Sequence, residues 1–167
     1  MIRPVEPRDY RRVAAIYNHY IEHSIATFEE VTFDDQQMAQ RIEQKTTASW
    51  PWLVAQEAGH VVGYAYAVDW NVRSGYRHTA ECSIYLDAEA TGKGIGSQLY
   101  TELFALLSTR PLRIVIAGIA LPNGASVALH EKFGFQNVAH FQEVGFKFGQ
   151  WIDVGYWQMR LSDAEGV

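Results

Sequence analysis

A carboxylate and a glycine-rich turn stand close together in this chain, and their types and spacing describe a chemistry. Glu81 sits in the middle of the run Thr79-Ala80-Glu81-Cys82-Ser83-Ile84-Tyr85-Leu86, and Thr91-Gly92-Lys93-Gly94-Ile95-Gly96-Ser97 follows shortly after. Glycines let backbone N–H groups converge without side-chain clash, and the helix that follows such a turn adds its unpaired first-turn N–H groups and the positive end of its dipole. The expected guest is an anion such as a phosphate chain. Glutamate is depleted in strand interiors, so a Glu placed just before a phosphate-type turn reads as a base held beside a bound phosphorylated molecule. Period-two alternation puts Thr79, Glu81, Ser83 and Tyr85 on one face and Ala80, Cys82, Ile84 and Leu86 on the other.

Other reactive residues fit less well. Cys82 is the sole cysteine, which excludes an internal disulfide and a cysteine-based zinc cage. Alternation turns it away from Glu81 among apolar neighbours, so it reads as a packed small hydrophobe rather than an acyl-carrying nucleophile. His19-Tyr20-Ile21-Glu22-His23 matches the inverted zinc-protease motif H-x-x-E-H, yet on a helical wheel these polar residues lie away from the apolar stripe, so no metal is expected. Arg73 and Arg77 can each offer two parallel hydrogen bonds to a carboxylate or phosphinate, or can be solvated loop cations. Phe28, Tyr76, Lys147 and Trp151 are candidate walls of the same pocket, the aromatics being equally suited to core or dimer interface.

The elements that must position these groups follow from periodicity. A short strand near Ile2–Val5 precedes an amphipathic helix over Asp9–His23, with Val13, Ile16, Tyr17, Tyr20 and Ile21 as its buried stripe. Thr32 with Asp35 forms the pattern of a capping box and predicts a second helix burying Met38 and Ile42. Trp52–Gln56 and Val61–Val68 read as an antiparallel pair around the turn Ala58-Gly59-His60, with a loop over Asp69–His78 before the Glu81 strand. Ile95, Leu99, Leu103, Leu106 and Leu107 predict a helix that ends before Pro111. Then come a strand Arg113–Ile119, a turn Leu121-Pro122-Asn123-Gly124, and a helix Ala125–Phe133 closed by Gly134. Phe135–Val138 and Val154–Leu161 read as two last strands enclosing a loop over Phe141–Ile152. The expected fold class is α/β (α+β), a three-layer sandwich with helices on both faces of a mixed sheet.

The 167 residues, 48% of them hydrophobic, suit a single domain over 1–167 with a real core, disorder being expected only in the tail Ser162–Val167. Fourteen Lys and Arg against nineteen Asp and Glu give a net charge of −5, with no basic stripe to neutralise a nucleic-acid backbone. No signal-peptide core or membrane-length apolar run is present, so neither a nucleic acid nor a membrane is an expected partner, and a cytoplasmic protein is.

The turn lacks the third glycine of G-x-G-x-x-G and the upstream glycine of a Walker loop, which disfavours a dinucleotide oxidoreductase or an ATPase. Thr91-Gly92-Lys93-Gly94-Ile95-Gly96 instead resembles the pyrophosphate loop, Q/R-x-x-G-x-G/A, of the GNAT superfamily of acetyl-CoA-dependent N-acetyltransferases. Thr91 stands where Gln or Arg is usual. Asn123-Gly124-Ala125-Ser126 through Phe135 resembles the second GNAT hallmark, in which the Asn contacts the coenzyme arm. Three further segments make the chain similar to the phosphinothricin and methionine sulfoximine acetyltransferases: Ile16-Tyr17-Asn18-His19-Tyr20, Tyr76-Arg77-His78-Thr79-Ala80-Glu81, and Val144 through Asp153.

That resemblance implies a GNAT fold with a mixed, mostly antiparallel sheet, and acetyl-CoA as co-substrate without a metal. Ile84, Tyr85, Leu86, Gly92 through Ser97 with Lys93 and Ile95, Asn123 and Ser126 would hold the coenzyme. A small amino acid substrate would be held by Phe28, Arg73, Ser74, Gly75, Tyr76, Arg77, Thr79 and Lys147. Glu81 would be the general base and His130 or Tyr85 the acid, with backbone N–H groups near Ile84–Leu86 facing the oxyanion if the strand is bulged or splayed. Relatives imply a homodimer with the Phe141–Asp153 loop near the partner. Another amino acid, an amine or a protein N-terminus remains open as acceptor, and a coenzyme A-binding sensor without turnover remains open as a non-enzymatic alternative.

Overall fold

In a computed structural model the described residues are 1–161; the tail Ser162–Val167 lies outside them. The elements in chain order are β1 (Ile2–Pro4), α1 (Tyr10–His23), α2 (Asp35–Thr47), β2 (Trp52–Glu57), β3 (His60–Asp69), β4 (Thr79–Leu86), α3 (Ile95–Ser108), β5 (Ile114–Leu121), α4 (Gly124–Lys132), β6 (Gln136–Lys147) and β7 (Gln150–Arg160). The strands form one seven-stranded sheet in the order β1-β2-β3-β4-β5-β7-β6. Every neighbouring pair is antiparallel except β4 with β5.

Alternation along the central strands builds two cores. On one face Ala80, Cys82, Val115 and Ala117 meet the α3 residues Leu99, Leu103 and Leu107. On the other Val54, Tyr64 and Tyr66 meet Val13, Ile16, Tyr17, Met38 and Ile42 of α1 and α2. Helices on both faces of the sheet give the expected three layers. Most predicted elements differ by a residue or two at their ends. The cap of α2 differs in identity: Asp34 accepts from the N–H of Gln37, whose side chain answers the N–H of Asp34, so the box begins two residues after Thr32.

The C-terminal region departs most from expectation. The predicted loop Phe141–Ile152 is a long hairpin in which β6 and β7 pair from Gln136↔Gln158 to Lys147↔Gln150. Its two-residue turn places both Phe148 and Gly149 at positive φ, 52° and 73°, the type I′ geometry whose twist matches that of paired strands. Phenylalanine is not the Asn or Asp that usually announces this turn, which is why the sequence signal was weak. Midway, the register slips between Phe141 and Gly145. Asp153 holds that bulge through His140 Nε2 at 2.6 Å and the Glu143 N–H at 2.8 Å.

Lys147, expected at the substrate, serves the fold instead. It is only 2% exposed, and its ammonium donates to the carbonyls of Tyr20, Ser24 and Thr27 at 3.3, 2.7 and 2.7 Å. Three donors are thereby spent on three acceptors, pinning the end of α1 and the loop after it to the hairpin. Replacing Lys147 with Met leaves those buried carbonyls without their charged partner and is expected to lower unfolding free energy by about 2–4 kcal/mol. Chemical denaturation of the two proteins, compared at constant m-value, measures it.

Candidate active site

The parallel pair β4 and β5 stays together only from Thr79↔Ile114 to Glu81↔Ile116. Beyond Glu81, β4 follows β3 and β5 follows β7, so the two strands part and a cleft of about 410 Å³ opens between them. Cys82 through Leu86 line one wall, Gly118, Ile119 and Ala120 the other, and the glycine turn closes the end. The N–H of Asp87 reaches the carbonyl of Val62 on β3. By alternation the N–H groups of Ile84 and Leu86 are aimed the other way, toward the cleft, where that of Leu86 donates to the Tyr20 hydroxyl at 3.4 Å. The splay makes room for donors at that edge.

Gly92 and Gly94 carry the turn at φ +75° and +79°, and Gly94 is the N-cap of α3. A left-handed cap without a side chain leaves the first-turn N–H groups of α3 open to a ligand. Gly96 is buried for a different reason: a Cβ there would lie 3.1 Å from Leu129 and 3.5 Å from Ile84. Thr91, Gly92, Gly94, Ile95, Gly96 and Ser97 all line the cleft, whereas Lys93 points elsewhere. Thr91, at the unusual position, spends its hydroxyl on the carbonyl of Ala88. The cation near the turn is one that sequence reading missed: Lys132, whose ammonium donates to Ser97 Oγ at 2.9 Å. Lys132 ends α4 and lies 35 residues from Ser97 along the chain, a separation that carries no sequence signal. Asn123 caps α4 by accepting from the Ser126 N–H, which leaves its amide N–H₂ for the cleft.

Tyr20 was read as part of a buried stripe, yet it lines the cleft and its hydroxyl donates to the Leu86 carbonyl at 2.7 Å. It thus satisfies backbone that lost a strand partner.

A second pocket of about 650 Å³ adjoins the cleft, sharing Ala26, Gly118 and Ala120 with it. Glu81 lines this pocket with Phe28, Phe141, Val144, Phe146 and Tyr156. Burial alone pushes the Glu81 carboxyl above its usual range, with no cation opposing it. Phe28 lies over Gly145, where a Cβ would come within 2.3 Å of the ring. The β3–β4 connection behaves differently from expectation. Ser74, Gly75 and Tyr76 form an exposed 3₁₀ turn, Arg77 donates to the Ser74 carbonyl, and none of Arg73 to Arg77 or Thr79 reaches the pocket wall.

His130 is 3% exposed, and burial lowers its pKa, so the ring is neutral near pH 7. Nδ1 lies 2.7 Å from the Ser126 carbonyl, which can only accept, so Nδ1 carries the proton and Nε2 accepts from the Tyr100 hydroxyl at 2.8 Å. The Cys82 thiol in turn donates weakly to Tyr100. His130 lines the cleft, but both its ring nitrogens are engaged within the fold and it presents no free N–H there. The Cys82 thiol, pushed up to about 12 by burial, stays protonated. Tyr85 is buried against Tyr17, Tyr20 and Tyr64 with its pKa raised by burial. Among the described residues no three His, Cys, Asp or Glu side chains gather to hold a metal, and no helix there is long and apolar enough to cross a membrane.

Residues 2–155 match the acetyltransferase (GNAT) domain family. The chain belongs to the GNAT acetyltransferases. This acetyltransferase is 40% identical over 162 residues to the phosphinothricin N-acetyltransferase of Alcaligenes faecalis, covering 96% of this chain and 82% of that one. It is 34% identical to the L-methionine sulfoximine/L-methionine sulfone acetyltransferase of Salmonella typhimurium, covering 97% and 95%. Its fold superposes with a TM-score of 0.94 on the crystal structure of a GNAT superfamily phosphinothricin acetyltransferase from Sinorhizobium meliloti in complex with acetyl-CoA, at 36% identity and covering 100% and 94%.

Replacing Gly94 with Val forces a β-branched residue into left-handed backbone at the cap of α3, at a cost of about 1–2 kcal/mol. Since that turn presents the N–H groups, acetyl-CoA affinity measured by titration calorimetry is expected to weaken about tenfold or more while the circular dichroism spectrum is unchanged.

Proposed function

We propose that this acetyltransferase moves acetyl from acetyl-CoA directly to the α-amine of a small acidic amino acid analogue of the phosphinothricin or methionine sulfoximine type, with Glu81 as general base. The observation that carries this reading is the junction at Gly118 and Ala120, where the pocket holding Glu81 opens into the cleft headed by the glycine turn. The named activities of the Alcaligenes and Salmonella relatives support the acceptor class.

The turn Gly92–Gly96 and the start of α3 would hold the pyrophosphate, with Lys132 as the nearby cation. The pantetheine arm would run along the parted edge of β4 beside the Asn123 amide. An α-ammonium must lose a proton before its nitrogen can attack the thioester, and Glu81 would take it directly or through one water. The N–H group of Ile84 would meet the oxygen as charge develops on it. Cys82 would play no covalent part. Acetylation removes the positive charge of such analogues, which is a route to resistance against them, and the cytoplasm is where acetyl-CoA would be met. A second copy of the chain would cover Phe141, Val144, Phe146, Phe148 and Trp151, half or more exposed on the edge hairpin, making a homodimer that also shields the acceptor pocket.

One observation favours a second acceptor class. Apart from Glu81 the pocket wall is largely apolar and aromatic, with no cation, which suits an amino acid with a neutral side chain. Thiol release measured across phosphinothricin, methionine sulfoximine, methionine and phenylalanine separates the two readings.

Glu81→Gln is expected to lower kcat about 100-fold or more with acetyl-CoA affinity unchanged; near-normal turnover would remove Glu81 from the base role. Only the ionised carboxylate accepts a proton, so kcat/KM falls as pH drops through its raised pKa. The acid limb of the profile therefore lies above the ordinary carboxylate value, and it disappears in Glu81→Gln. Cys82→Ala is expected to keep turnover of the parent order.

A further inference from the structure

Gly118 on β5 stands opposite Tyr156 on β7 in the antiparallel register. A Cβ at position 118 would lie 3.2 Å from Tyr156 Cε1, 3.5 Å from Cζ and 3.7 Å from Oη. The ring therefore lies across β5 over the glycine instead of standing upright on its own strand. Glu81 pairs with Ile116, two residues before Gly118, and side chains two residues apart share a face. The ring thus leans from β7 toward the side where Glu81 stands, and Phe141 packs edge-on against its other side at 5.6 Å.

Tyr156 and Glu81 line the same pocket, and Gly118 between them is where that pocket meets the cleft. Neither the Tyr156 hydroxyl nor the Glu81 carboxylate makes a hydrogen bond to a described residue. The other side chains facing this space, Phe28, Val144, Phe146 and Val154, carry no charge. Tyr156 and Glu81 are both half-exposed on the pocket wall, which leaves their polar atoms free to meet a polar ligand between them. Burial and the Glu81 charge both raise the Tyr156 pKa, so the hydroxyl keeps its proton.

We propose that Tyr156 is an amine-contacting residue of the acceptor site, its hydroxyl oxygen accepting one N–H of an acceptor nitrogen bound between it and the Glu81 carboxylate. In the transfer step the nitrogen gives one proton to Glu81, the C–N bond forms and the C–S bond breaks; Tyr156 holds a second N–H and is not consumed. The proposal rests on Glu81 being the base. It also gives Gly118 a reason: a side chain there would push the ring away from the junction.

Tyr156→Phe keeps the ring and removes only the hydroxyl. With acetyl-CoA and either phosphinothricin or methionine sulfoximine, kcat/KM for the acceptor is expected to fall about tenfold or more, with half-saturation by acetyl-CoA unchanged. The acid limb of that profile stays where it is in the parent, because burial alone sets the proton affinity of Glu81. Gly118→Ala, with tyrosine retained, produces a smaller change in the same direction. An acceptor kcat/KM within twofold of the parent, or an equal loss of half-saturation by acetyl-CoA, overturns the proposal. Glu81→Gln run in parallel separates the two readings: a persisting acid limb sinks the base and this proposal together, while its disappearance beside an unaffected Tyr156→Phe sinks this proposal alone.

Discussion

Two parallel strands that pair over three residues and then part are the constraint from which the rest of this structure follows. The separation of β4 from β5 leaves backbone donors and acceptors of both strands without a ladder partner, a state that buried backbone rarely tolerates. Some of it is answered within the fold, as where the Tyr20 hydroxyl serves the Leu86 carbonyl. The remainder defines a slot with a polar edge. The glycine turn lies at the end of that slot because it directly follows β4, and Gly118 and Ala120 lie on its far wall because β5 continues with β7.

The two faces of the sheet divide the labour. On the α3 face the buried polar groups are partnered in a chain, Cys82 to Tyr100 to His130 to the Ser126 carbonyl. On the opposite face Arg41 is lodged over the rings of Tyr17 and Phe33, Tyr17 bonds Thr27, and Lys147 ties the following loop to the hairpin. These contacts fix Ala26 and Phe28 at the pocket. Glu81 stands apart from all of them: half-buried and unpaired, it owes its raised proton affinity to desolvation, a state in which a carboxylate is a better proton acceptor than in water.

Local patterns carried most of the fold and the neighbourhood of Glu81 and the glycine turn. Helical periodicity located α1, α2 and α3, alternation put Glu81 and Cys82 on opposite faces, and the glycines announced the turn, because each of these signals lies within a few residues of itself. The hairpin of β6 and β7 escaped because its turn uses Phe148 in a left-handed conformation, and a lone Gly149 does not distinguish that from a loop. Lys147, Arg73 and Arg77 show the limit of residue type as evidence. A cation near a pocket in sequence can be bonded to carbonyls or remain on an exposed turn, and only packing tells which.

The chain by itself determined that a strand carboxylate and a glycine-rich turn would lie near each other, since a strand followed directly by a helix cap keeps its residues within reach whatever else the fold does. Tertiary structure decided what meets them. Tyr20, Lys132 and Tyr156 come to the site from α1, α4 and β7, distances of tens of residues along the chain, and Nε2 of His130 is taken up by Tyr100, thirty residues away. Those outcomes depend on strand order and on where β4 leaves β5, which are properties of how the whole sheet closes its hydrogen bonds rather than of any segment in it.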